Sequence, residues 1–180
     1  MKKKLSIALV VVLSIVACMV GYLWTGELKE GDIVFLMSKS EQSPLVQYAT
    51  SSPWSHCGVI IEKSDGLYVL EASNVVKLTP YKAWKARGRM GIVKSRRVVK
   101  EPVKIRYRKY LGTPYDLQFK FDNGKYYCSE LVYDIYLNQL GIQLCKPKPI
   151  GKNHTLGLKK AMKKRGISTK QLAVAPCDLL

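Results

Sequence analysis

Cys128-Ser129-Glu130-Leu131-Val132-Tyr133-Asp134-Ile135-Tyr136-Leu137-Asn138-Gln139-Leu140, closed by Gly141, decides how this chain is read. Leu131, Val132, Ile135, Tyr136 and Leu140 recur at helical spacing and form one apolar stripe. Gly141 is a natural helix stop. Cys128 lies three and four residues before Leu131 and Val132, on the same stripe and in the first turn. Free N–H groups and the helix macrodipole favour an anion there, which lowers a thiol pKa towards the nucleophilic thiolate. The same N–H groups suit a developing oxyanion. A buried, inert cysteine would occupy the position equally well, so a base is needed to decide.

Only two histidines exist, His56 and His154. His56 opens the apolar run Ser55 to Glu62, a strand by its pattern, and Gly58 within it leaves room for a close neighbour. His154 is the rival base, set in a Lys/Pro/Gly-rich stretch that reads as loop. Ser64-Asp65-Gly66 is a turn signal, and Leu67 to Ala72 reads as the returning strand of a hairpin. With a two-residue loop of Ser64 and Asp65, His56 faces Ser73 and Glu71 is its diagonal neighbour on the same face. A carboxylate there would orient the imidazole. An odd loop would turn Glu71 to the other face.

Other elements follow from local signals. Gly31 to Leu36 reads as a strand and Glu41 to Ala49 as a short helix with Ser40 as its cap. Val75 to Leu78 continues the sheet. Thr79-Pro80 reads as a helix start and Gly91 to Lys94 as a further strand. Glu101 to Leu111 reads as a basic helix ending at Gly112, and Thr155 to Arg165 as a cationic one. The order is mixed, without regular βαβ alternation, which implies an α+β fold.

The length of 180 residues suits one domain with a real core. Leu5 to Trp24 carries no charge, follows Lys2, Lys3 and Lys4, and at about 1.5 Å per residue would span roughly 30 Å. Residues 1–25 are therefore expected to be a signal or membrane-anchor segment and 26–180 the folded domain. The positive-inside rule places that domain outside the cytoplasm, tethered to the cell membrane. Three forms stay open: an uncleaved anchor, a cleaved signal, or a lipoprotein acylated on Cys18, since Ile15-Val16-Ala17-Cys18 resembles a lipobox. The net charge of +17 draws the body to anionic partners, either an envelope polymer or a lipid surface. Export argues against nucleic acid. The five cysteines show no CxxC pair, so no zinc knuckle is expected, nor any cofactor or metal.

Five segments together resemble a known group. They are Gly31-Asp32-Ile33-Val34-Phe35, Trp54-Ser55-His56-Cys57-Gly58-Val59, Val69-Leu70-Glu71-Ala72, Tyr110-Leu111-Gly112-Thr113-Pro114-Tyr115-Asp116 and Tyr127-Cys128-Ser129-Glu130-Leu131-Val132. In this order they resemble the YiiX/YebB-like hydrolases, the circularly permuted branch of the NlpC-type papain-fold enzymes, in which the histidine strand precedes the cysteine helix. The resemblance implies a permuted papain-like fold, with Cys128 as nucleophile, His56 as base and Glu71 as orienter. It also implies amide or ester hydrolysis through an acyl-enzyme. The leading expectation is an amidase or peptidase acting on envelope peptides such as those of peptidoglycan. The alternatives are a lipid-directed thioesterase, acyltransferase or phospholipase, and a non-catalytic envelope-binding module. An apolar groove beside Cys128 would favour lipid, a polar cleft peptide.

Overall fold

The computed structural model of the protein describes residues 27–150 and 156–180. The expected N-terminal segment and His154 lie outside the described residues. Among the described residues no helix is long and apolar enough to cross a membrane.

Five strands form one antiparallel sheet in the order β4-β3-β2-β1-β5. They are β1 (Ile33–Ser38), β2 (His56–Lys63), β3 (Gly66–Ala72), β4 (Val76–Pro80) and β5 (Gly88–Arg96). Strict alternation sorts their side chains into two layers. Ile33, Phe35, Cys57, Val59, Ile61, Leu70 and Ala72 face one way, and helix α3 (Cys128–Leu140) covers them with Leu131, Val132, Ile135 and Tyr136. Val34, Leu36, Ile60 and Val69 face the other way and pack around Trp84 of helix α2 (Tyr81–Ala86). Helix α1 (Ser43–Thr50) connects β1 to β2, and α4 (Leu156–Lys164) precedes the C-terminal segment.

The hairpin turns through Ser64 and Asp65, with Lys63 opposite Gly66 and Val59 opposite Leu70. That is the even register expected from the sequence. Gly58 is required by close approach, because a Cβ there would stand 2.4 Å from Val69 Cγ1 and 2.6 Å from the Leu70 carbonyl oxygen. The close neighbour is the returning strand. Helix α3 begins and ends as its sequence dictates, with Gly141 left-handed at φ 69°.

Three expectations are corrected. Residues 101–106 are not helical, and only Tyr107–Tyr110 forms a 3-10 turn. Backbone amides there bond side chains of other elements instead, Ile105 N–H to Glu30 Oε1 at 2.7 Å and Arg106 N–H to Gln139 Oε1 at 2.8 Å. Thr79 does not cap α2. It lies in β4, and Pro80 is the cap residue. Helix α1 starts at Ser43 after Gln42, so Ser40 caps nothing.

Candidate active site

Glu71 is fully buried and carries four hydrogen bonds. His56 Nε2 shares one with Glu71 Oε2 at 2.6 Å, and Trp84 Nε1 donates to the same oxygen at 3.1 Å. Thr79 Oγ1 donates to Oε1 at 2.6 Å, and Arg87 Nη2 donates to it at 2.5 Å. Burial alone would raise this carboxyl, but His56, Thr79 and Arg87 outweigh it and hold Glu71 down at about 2. The carboxylate is therefore fixed as an anion. Because His56 and Glu71 share a face, the expected diagonal pairing is realised as direct contact.

With Nε2 committed to Glu71, Nδ1 is the imidazole nitrogen left for Cys128. Burial opposes the charged imidazole, but hydrogen bonds with Cys128 and Glu71 win and raise His56 to about 9. Its side chain is 14% exposed, and its ring lies 6.1 Å from that of Trp84. Cys128 moves the opposite way. The Cys57 thiol, the largest influence, donates towards its sulfur, and with His56 it overrides burial and holds Cys128 well below the ordinary thiol range. Both shifts favour a thiolate beside an imidazolium. The structure brings Cys128, His56 and Glu71 into one constellation.

Some neighbours were not legible as site residues. Thr79 stands before Pro80 in a helix-start pattern, and nothing in the segment around Trp84 and Arg87 marks them as carboxylate partners. Cys57 adjoins His56 in β2, so strand alternation points its side chain away from His56. It points into the layer that α3 covers, and this carries it to Cys128. Tyr115 lines the same cavity as Cys128, and its phenol is pushed up by burial and by the Cys128 charge.

Beside Cys128 opens a cavity of about 300 Å³. Its walls are mainly apolar: Leu45 and Val46 of α1, Phe119, and Met162, Ile167 and Val174 from the C-terminal part. That part is tied to the start of α3. Ser129 Oγ donates to the Val174 carbonyl at 2.7 Å, and the Val174 N–H donates to Tyr127 Oη at 3.1 Å.

A thiol at a helix N-terminus, packed across an antiparallel sheet that supplies the imidazole, defines a papain-like cysteine hydrolase, here with the histidine strand first in the chain. Residues 27–177 match the family model described as permuted papain-like amidase enzyme, YaeF/YiiX, C92 family. The chain belongs to that family. It is 36% identical over 140 residues to the uncharacterized protein YiiX of Escherichia coli strain K12, covering 74% of this chain and 68% of that protein. It is also similar to a crystal structure titled metalloprotein yiiX from Escherichia coli O157:H7. That match has TM-score 0.78 and 31% identity, over 86% of this chain and 92% of the other. Among the described residues no three His, Cys, Asp or Glu side chains gather as metal ligands.

Proposed function

We propose that this cysteine hydrolase cleaves an amide bond through an acyl-enzyme on Cys128. The observation that supports this best is the imidazole of His56, held by Glu71 on one nitrogen and hydrogen-bonded to Cys128 on its other side. The Cys128 thiolate attacks the carbonyl carbon, and the first N–H groups of α3 are placed to receive the oxyanion. The His56 imidazolium gives its proton to the departing amine. A water then attacks the thioester, with His56 as base, and releases the acid and the thiol. Glu71 touches no reacting atom and is a positioning residue.

The substrate class we propose is a cell-envelope peptide, met by a domain held at the outer face of the membrane by residues 1–25. The charge of +17 supports attraction to an anionic wall or lipid surface. One observation favours the second reading, a lipid-directed hydrolase: the cavity beside Cys128 has mainly apolar walls. Incubating the soluble body with peptidoglycan fragments and, separately, with phospholipids, and identifying products by mass spectrometry, decides between them. A product from fragments that vanishes in Cys128→Ala supports the first reading, and one from phospholipids the second. Unchanged substrates in both arms overturn both. A reporter fused after Leu180 should be active only in the exported compartment, and cytoplasmic activity would reverse the orientation.

A further inference from the structure

The cavity beside Cys128 contains one feature that neither an acyl chain alone nor the hydrolytic step accounts for. Arg165, just beyond the end of α4, is among its lining side chains. Its Nη1 is buried and has no hydrogen-bond partner. Among the described residues the cavity's other cation, Lys148, is already engaged, 2.7 Å from Asp178 Oδ1. Asp178 is also taken, since Oδ2 accepts the Ala175 N–H at 2.9 Å. A guanidinium is never neutralised by losing its proton, so an unpaired one in an apolar cavity wall calls for an anion.

We infer that this cavity selects acyl groups that end in an anion: an apolar stem lies along Leu45, Val46, Met162 and Val174, and a terminal carboxylate binds Arg165. The inference rests on the proposed attack by Cys128, because the stem must lead from the scissile carbonyl into the cavity. Its size is at the small end of ligand pockets, about 300–1,000 Å³, which suits a short chain rather than a long lipid tail. An apolar sleeve strengthens a charge-assisted hydrogen bond at its end, and the carboxylate replaces the water that the guanidinium would otherwise need. A terminal methyl in the same place would leave the guanidinium without an anion. Discrimination by unpaired buried polar groups is the stronger kind of selectivity.

The test compares two probes of equal length, octanamide and suberamic acid, which differ only in a terminal methyl against a carboxylate. Each is titrated for its power to protect Cys128 from iodoacetamide in the wild-type protein, in Arg165→Met and in Arg165→Lys. Suberamate should protect at roughly ten- to hundredfold lower concentration than octanamide. Arg165→Met should erase that advantage, and Arg165→Lys should retain part of it. Equal protection in the wild type, absence of protection included, overturns the inference. So does an advantage that survives in Arg165→Met, since that would come from the general positive field. Arg165→Lys covers the case in which the methionine variant fails to fold. The aminocoumarin amides of the same two acids separate the two claims. Protection by suberamate without cleavage of either amide would leave the subsite standing and remove the amidase reading.

Discussion

His56 and Cys57 point to opposite faces of β2, as neighbours in a strand must, yet both end against the same sulfur. The reason is that Cys128 sits at the tip of α3, where the helix crosses the strand's first residues. Alternation was legible from sequence and placed Glu71 with His56 correctly. It gave no hint that the opposite face would bring Cys57 to Cys128, because that depends on where the helix lands. Two predictions follow at this scale. Iodoacetamide below neutral pH should modify Cys128 first, since burial raises the thiols of Cys57, Cys145 and Cys177 while Cys128 is lowered. In Cys57→Ala the pH midpoint of that alkylation should move up, because the leading donor to the thiolate is gone; an unmoved midpoint would deny Cys57 this part. The second concerns the alkaline limb of kcat/KM, expected near the His56 value of about 9, where the imidazolium is lost. Glu71→Gln removes an anion that favours the charged imidazole, so the limb should shift to lower pH, with partial activity remaining. A limb that stays in place would mean Glu71 does not act through His56.

At the scale of elements, α3 was legible from end to end because stripe, start and glycine stop agree within thirteen residues. The segment 101–111 was not, because helical composition there yields to tertiary bonds: Ile105 is buried and its amide is taken by Glu30. Helix α3 also contains a titratable group that its pattern does not announce. Glu130, in its first turn, accepts the Tyr127 N–H at 3.3 Å, the return bond of a capping box. Burial dominates all the same and raises its carboxyl to about 8, with Asp116, Asp122 and Asp134 adding to the rise. The folded protein thus holds a proton that the unfolded chain releases near the ordinary carboxyl value of 4.5. Stability from this group is fully present below that value and is lost as pH rises to about 8. Urea unfolding of wild type and Glu130→Gln should therefore differ with pH. The glutamine variant should gain relative to wild type between pH 5 and pH 8, both about where the linkage acts. A pH-independent difference would place the Glu130 pKa near its ordinary value.

Across the whole molecule, the C-terminal segment is joined to the start of α3, more than forty positions away in the chain. Leu179 is fully buried in the same cluster as Cys128, Leu131 and Ile135. Arg96 Nη1 at the end of β5 donates to its carbonyl at 2.8 Å. Pro176, Cys177 and Asp178 meanwhile line the cavity. The last nine residues therefore serve both the core and the pocket wall. Sequence patterning did not foresee this, since two short strands, Lys148–Pro149 and Leu172–Ala173, and a 3-10 turn, Pro176–Leu179, carry no long-range periodicity. Leu179→Ala should cost about 2–5 kcal/mol, the usual range for a large-to-small change in a packed core. Urea unfolding measures it as a lowered midpoint. An unchanged slope would mean the segment still unfolds with the rest, whereas a smaller slope would mean it has already peeled away in the native state, exposing its surface beforehand. In that second case the cavity loses a wall, and KM for any substrate held there should rise while the alkylation of Cys128 keeps its pH midpoint, because His56, Glu71 and Cys57 all stand on the sheet. A midpoint equal to wild type in urea would show that the segment contributes nothing to the core.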